Sequence, residues 1–334
     1  RMETFCSLQA AIDDADTQNG DVIEVAAGTL VQSTLVNVNK SVTIQGMGIG
    51  LTTIELSSSW FNTGAVAFSL NAPNITIKDI YFKLVGKGSG NILGIYQSNT
   101  TIQNNKFSGE YVFGDGEVTR ATVWSASNNT GLLFDSNIIE SLRQPGYLSN
   151  GSGTISNNTI TTTRGWVIEG VGTMAFTGNT FNTNTSHITI LDLASDISGL
   201  TINNNDLSGT FTDGAIDNRA AGTLNAPCNW FGTASRGVIN TKISGPVTVA
   251  TFLHTGTDTD PAIGFQPDNS CSANSRWYVN DGSNGGSVFT SAVGNNANPG
   301  TAALPLLNIQ VAINLSIDGD TIFVDAGNYL EVLN

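Results

Sequence analysis

Thr201-Ile202-Asn203-Asn204-Asn205-Asp206-Leu207 is the stretch on which the reading of this sequence turns, because four near-copies of it lie upstream. They are Thr101-Ile102-Gln103-Asn104-Asn105-Lys106-Phe107, Leu133-Phe134-Asp135-Ser136-Asn137-Ile138-Ile139, Thr154-Ile155-Ser156-Asn157-Asn158-Thr159-Ile160 and Ala175-Phe176-Thr177-Gly178-Asn179-Thr180-Phe181. In each, an Asn stands three places after an apolar residue, and a second apolar residue follows two places later. A looser copy, Thr76-Ile77-Lys78-Asp79-Ile80-Tyr81-Phe82, puts Ile80 where the Asn belongs. From Ile77 through Ile102, Phe134, Ile155 and Phe176 to Ile202 the steps are 25, 32, 21, 21 and 26 residues. The shortest step is one turn of a coil, and the longer ones are turns that carry inserted loops.

A period in the twenties marks a solenoid. Apolar and polar residues alternate within each copy, which is strand periodicity, and no convincing run at i, i+3, i+4, i+7 separates the copies. Short strands joined by Gly, Asn, Ser and Thr predict an all-β parallel β-helix. The recurring residues Asn105, Asn137, Asn158, Asn179 and Asn205 have a structural reason to recur. Asn tolerates left-handed backbone angles at a bend. Stacked coil upon coil, its amides would also form a ladder that satisfies buried donors and acceptors.

The copies resemble the parallel β-helix repeats of the pectin-lyase-like superfamily over most of residues 1 to 270. That resemblance implies a right-handed solenoid of three sheets. It implies no single activity, since the superfamily holds lyases, hydrolases, tailspikes, adhesins and structural modules.

Upstream, Phe5, Leu8, Ala11, Ile12 and Ala15 share one helical face. A short helix there would cap the first open coil, which otherwise exposes unpaired edge groups. Strands are expected at Val22–Val25, Leu35–Val38 and Val42–Ile44. The opening recurs late in the chain: Asn308–Asn314 matches Ser7–Asp13, and Gly319–Leu330 matches Gly20–Leu30 with one residue inserted. We therefore expect a cap at 1–20, a β-helix module at 21–253, a junction at 254–276 and the beginning of a second, truncated module at 277–334. Such a pattern points to a longer tandem array. Asn225-Ala226-Pro227-Cys228-Asn229-Trp230-Phe231-Gly232 resembles the Asn-Trp-Trp-Gly type of sequence that closes β-helix modules in large bacterial surface proteins.

Composition narrows the function classes. Only 12% of residues are charged and 40% are hydrophobic, with a net charge of −14. No basic stripe exists to neutralise phosphates, which argues against a nucleic-acid partner and against an anionic membrane surface. No apolar run is long enough to span a bilayer. Of the three cysteines, Cys228 and Cys271 both fall near the end of the coil, and a bridge between them would close that edge in an extracellular setting. Cys6 is expected to be buried and reduced.

The chemistry-bearing residues are sparse. A catalytic reading, a polysaccharide lyase or glycoside hydrolase of pectin-lyase-like type, would use Glu169, Asp192, Asp213, Asp217 and Arg219 on one outer face, with Trp166, Tyr96, Tyr147 or Trp124 stacking on sugar rings. The copies do not hold these residues at one offset, and a solvated outward carboxylate is the commoner fate. His187 and His254 have no nucleophile motif beside them. Asp258, Asp260 and Asp268, or Asp115 and Glu117, would be the ligands of a structural calcium, though without EF-hand or nonapeptide spacing. No other cofactor or metal is expected. Asn-x-Ser/Thr sequons occur at Asn74, Asn99, Asn128, Asn150, Asn184 and Asn314 and in Asn157-Asn158-Thr159, a density that an Asn- and Thr-rich chain produces readily.

The reading is a structural or adhesive segment of a long, extracellular, tandem-module bacterial surface protein, a stalk or filament. Its expected partners are neighbouring modules, copies of itself and glycans. A non-catalytic carbohydrate-binding module, with outward aromatics and no converging acids, is the third reading.

Overall fold

Each repeat turns its apolar residues to one side and its polar residues to the other, and stacking brings all the apolar sides together. In the coil of Thr101–Gln103, Ile102 is fully buried between two partly exposed neighbours. The computed structural model describes residues 4–334 except 58–64, 87, 126–128, 171, 192–195, 269–270, 273–274 and 317–319, and the side chains of 123–125. Among them, three parallel sheets of eight, seven and nine strands form a β-solenoid of about eight turns. The chain visits the sheets in the order first, second, third and then begins the next coil. The representative coil contributes Thr101–Gln103 to the first sheet, Lys106–Ser108 to the second and Thr119–Ser125 to the third.

Register between coils follows the repeat. Ile77, Ile102, Phe134, Ile155, Phe176 and Ile202 are successive partners in the first sheet. Upstream, Ile44 pairs with both Ile23 and Ile77, so the period extends two coils beyond the recognisable copies. The strand expected at Val42–Ile44 forms at Thr43–Gln45 in the first sheet, where it opens the second coil. A strand at Gly28–Gln32, absent from the sequence-based reading, supplies the second sheet of the first coil. It was hidden because Gly28, Thr29 and Val31 are exposed and no apolar alternation marks them. The 32-residue step is explained by the loop between Ser108 and Thr119 at the corner joining the second and third sheets.

Aromatic side chains fill the interior. Phe82 and Phe107 stack with ring centroids 5.2 Å apart, Phe107 and Phe134 at 6.1 Å, and Trp166 meets Phe134 edge-on at 5.3 Å. Each fully buried ring of this kind contributes roughly 1.5–3 kcal/mol through the area it removes from water. Trp166 lies under Gly146, where an added Cβ would sit 2.2 Å from the ring. It is a core residue, with no surface to offer a sugar.

The N-terminal helix spans Leu8–Asp13, with the Ser7 Oγ accepting from the Ala10 N–H as its cap. Leu8, Ala11 and Ile12 are buried; Phe5 is half-buried and Ala15 exposed, both outside the helix. Gln9 ties the helix to the first third-sheet strand, accepting from Asn37 N–H at 2.7 Å and donating to Asn37 O at 3.2 Å. Cys6 is exposed and free, contrary to the expectation of burial, because it precedes the helix and falls off its apolar face.

At the far end a helix at Arg236–Thr241, with Ile239 buried, and the two-residue strands Ile243–Ser244 and Val247–Thr248 complete the stack. Cys228 and Cys271 are joined in a disulfide. The segment between folds back: Phe265 is buried and its N–H donates to Gly178 O, while Gly264 sits against Asn157. A second, smaller core of Trp277, Val279, Leu306 and Ala312 follows. There Arg276–Val279 pairs in parallel with Thr321–Val324 beside the helix Ile309–Leu315.

Candidate functional site

The corner between the first and second sheets is polar and buried. Asn105, Asn137, Asn158, Asn179, Asn205 and also Asn229 are each fully buried there. Every one donates from Nδ2 at 2.9 Å to a carbonyl of the preceding coil: Ile77, Ile102, Phe134, Ile155, Phe176 and Ile202 in turn. The Oδ1 atoms accept the backbone N–H of the preceding Asn at 2.9–3.1 Å. At the upper end Ile80 N–H donates to Asn105 Oδ1, so the column starts one coil after the position that carries Ile80. Left-handed backbone at Asn104, Ser136, Asn157, Gly178, Asn204 and Cys228 makes the bend that aims these side chains inward. Asn229 continues the pattern in a weaker form, with the small Ala226 three places before it, Pro227-Cys228 between them and Phe231 two places after. The column is a scaffold element, and its amides are fully engaged.

The outer face of the third sheet holds the carboxylates. Asp217 is nearly buried and paired with Arg219, whose Nη2 lies 2.7 Å from Oδ2 and whose Nε donates to the same oxygen at 2.7 Å. Asp217 is in register with Thr189, and Thr189 with Val167, so Glu169 lies two coils away and two residues further along. At about 4.8 Å per coil and 3.3 Å per residue, the two backbones stand roughly 12 Å apart. Glu169 instead belongs with Tyr147, whose hydroxyl is pushed above its ordinary pKa by burial and by its hydrogen bond to Glu169. Asp192 lies outside the described residues, as does the Trp124 side chain. Asp213 is exposed and bonds its neighbour Thr212. The structure thus brings Asp217 to Arg219 and sets Asp217 apart from Glu169.

A different constellation, missed in the sequence, occupies the corner between the second and third sheets. Arg120, Arg143 and Arg164 come from successive coils, and their mutual repulsion helps depress the first two, after burial as the main cause. Arg120 lies 5.6 Å over the Tyr147 ring and donates to Asn91 at 3.3 Å. Beside them the inserted loop raises Tyr111, Val112 and Phe113 over a groove of about 360 Å³ floored by Thr161, Thr163, Asn182 and Asn184. Phe113 is 65% exposed. Arg143 and Arg164 each stand nine residues after Phe134 and Ile155 of their repeats, whereas Arg120 stands eighteen after Ile102 because its coil carries the inserted loop, so the third member of the grouping breaks the pattern.

The histidines serve packing. His187 is buried between Phe181 and Phe211, with Nδ1 3.0 Å from Thr183 Oγ1, and burial lowers its pKa to about 4. Asp135 is held below the usual carboxylate range: burial works against the charge, and hydrogen bonds from Ser156, Gln103, Ser136 and Asn157 outweigh it. Asp258 and Asp260 accept backbone N–H bonds within their own loop, and Asp268 accepts from Thr259. Asp115 accepts from Val112 N–H, and Glu117 lines a small hollow beside it. Among the described residues no three His, Cys, Asp or Glu side chains gather as a metal site. No helix among them is long and apolar enough to cross a membrane.

Comparison with known proteins gives one relative. Over 116 residues, 34% of this chain, the sequence is 34% identical to a protein named cell surface glycoprotein from Methanothermus fervidus. The match covers 18% of that protein, so the chain spans less than a fifth of the relative's length. No protein-family model and no solved structure matches the sequence. The chain is a parallel β-solenoid similar over about a third of its length to a cell surface glycoprotein, and none of these comparisons points to the pectin-lyase-like superfamily.

Proposed function

We propose that this chain is a structural segment of an extracellular surface protein, a stiff module arranged in series with others of its kind. The observation that carries the reading is that the order helix, then parallel strand, occurs twice: Leu8–Asp13 before Val22–Glu24, and Ile309–Leu315 before Thr321–Val324. Between them one apolar column and one amide column run through the coils. A rod built this way resists bending, because every coil is bonded to its neighbours along the whole axis. Likeness to a cell surface glycoprotein and the Cys228–Cys271 disulfide support an oxidising, external setting. Electron microscopy of the assembly purified from its source tests this. Modules in line, end to end, are the expected image; a free globular monomer with ligand in an open cleft would overturn the reading.

A second reading has its own observation. Three arginines in a chain with only 13 basic residues come together at one corner, and Arg143 hydrogen-bonds Tyr111, which lines a Thr- and Asn-rich groove together with the exposed Phe113. That combination suits contact with an acidic glycan without catalysis: the guanidinium groups would meet carboxylates and the rings would meet sugar faces. Calorimetric titration with oligogalacturonate should show binding that Arg143→Ala and Phe113→Ala each weaken at least about fivefold. Unchanged affinity in both variants would remove this reading and leave the first intact.

A further inference from the structure

The fold sorts the sequons in a way that the sequence conceals. The first five connections from the third sheet back to the first are residues 39–42, 71–75, 96–100, 126–131 and 150–152. Each begins one Asn-x-Ser/Thr sequon: Asn39-Lys40-Ser41, Asn74-Ile75-Thr76, Asn99-Thr100-Thr101, Asn128-Asn129-Thr130 and Asn150-Gly151-Ser152. Asn128 lies outside the described residues; Asn39, Asn74, Asn99 and Asn150 are all exposed. These four therefore line one edge of the solenoid, after the first, second, third and fifth coils. Asn74 and Asn99 are direct neighbours, with Asn99 Nδ2 donating to Asn74 Oδ1 at 3.1 Å.

Turn chemistry alone would also place Asn at a bend and Thr at the next outward strand position. Two observations count against that explanation. Thr76 and Thr101 do open strands, but Ser41, Thr130 and Ser152 lie inside connections of other lengths, so the sequon persists while the turn changes. The first-to-second corner is equally rich in left-handed Asn, at Asn104, Asn157 and Asn204, yet only Asn157 begins a sequon there. Asn157 is also covered, since its Nδ2 donates to Asp135 at 2.9 Å and Gly264 lies against its backbone.

We infer that this edge is a row of N-linked glycan sites, at Asn39, Asn74, Asn99 and Asn150, recognised by an oligosaccharide transferase that uses a lipid-diphosphate-linked donor. In the transfer, Asn Nδ2 bonds to the anomeric carbon and the bond from that carbon to the diphosphate oxygen breaks. The lipid diphosphate leaves with the electron pair, and one Nδ2 proton passes to the transferase. The remaining Nδ2–H still allows the Asn99 to Asn74 hydrogen bond. Coils rise by about 4.8 Å, so glycans on adjacent coils must splay apart. The result is one hydrophilic, sterically shielded edge, with the exposed Asn184 sequon standing apart at the corner between the second and third sheets.

The test is intact mass measurement and glycopeptide mapping of the full protein from its source. Two or more of Asn39, Asn74, Asn99 and Asn150 should carry glycan in the same molecule, with Asn157 bare. Thr76→Ala and Thr101→Ala keep every Asn, and they should abolish glycan at Asn74 and Asn99 respectively while leaving the circular dichroism spectrum unchanged. Glycan at fewer than two of the four edge sites, or equal occupancy at Asn157, overturns the inference. It shares with the proposed function only the requirement for export, so a bare protein found at the surface would sink the glycan row alone. A protein confined to the cell interior would sink both.

Discussion

Asn137 donates from Nδ2 to Oδ1 of Asn158 at 3.0 Å, and its backbone N–H reaches the same oxygen at 2.9 Å. One side-chain oxygen thus accepts two bonds from the coil before it, while the Asn158 Nδ2 holds Phe134 O and Asn179 Oδ1 at 2.9 Å each. Removing it strands several buried groups at once.

Asn158→Ala should therefore cost about 3–5 kcal/mol, since each buried group left without a partner costs roughly 1–3 kcal/mol. Asn182→Ala, at an exposed position on the second sheet, should change stability by less than about 0.5 kcal/mol. Urea denaturation of the two variants checks the contrast, and equal midpoints would mean the column does not stabilise the fold.

His187 predicts the pH dependence. Its pKa falls from 6.5 in the unfolded chain to about 4 in the folded one. Above pH 6.5 both states are neutral and the full stability is present. As pH drops from 6.5 towards 4 the unfolded chain takes up the proton first, so stability declines, by on the order of 3 kcal/mol in all. His187→Phe keeps the ring between Phe181 and Phe211 and should flatten the melting temperature across that window. A smaller slope from His254, also lowered by burial, should remain. Below the ordinary carboxylate range a further loss is expected as Asp135 protonates, because its folded pKa is depressed.

Gly146 and Trp166 form a space-sharing pair, with only glycine leaving room for the indole. Gly146→Ala should destabilise by about 1–3 kcal/mol through overpacking. Adding Trp166→Leu should cost less than the sum of the single changes, because the leucine vacates the space that the new methyl needs. Additive losses in a double-mutant cycle would refute the steric account.

The disulfide closes 43 residues of chain, for which loop entropy predicts up to about 4 kcal/mol. Mild reduction should raise hydrogen exchange first at Phe252 and Ser272, which bond each other's backbone beside the bridge. Cys6, being exposed, should react with a thiol reagent before any reductant is added.

What could be read from the residues was the repeating part. Ile77 to Ile202 declare strand, period and inward face, because the same short-range pattern is written in each coil and neighbouring coils need matching partners. Gly28–Gln32 escaped because an exposed strand has no apolar alternation. The helix Arg236–Thr241 escaped because two turns hold too few apolar residues to show a period. Trp166 looked available for stacking because an aromatic residue in sequence carries no sign of its depth. Arg143 and Arg164 share an offset from their repeats, but two copies are too few to mark a motif, and Tyr111 and Arg120 join them only through the inserted loop.

The sequence by itself determined the all-β solenoid, its period and the alternation of side chains between core and solvent, because these follow from local strand geometry repeated at each turn. Only the tertiary structure decided which coils stand opposite one another at each corner. Insertions change the sequence distance between stacked residues from coil to coil, so register puts Asp217 opposite Thr189 and Val167 and not opposite Glu169. By the same rule the sequons at Asn39, Asn74, Asn99 and Asn150, scattered over more than a hundred residues, come to lie along one edge: hydrogen-bonded register, and not separation along the chain, sets which residues are neighbours.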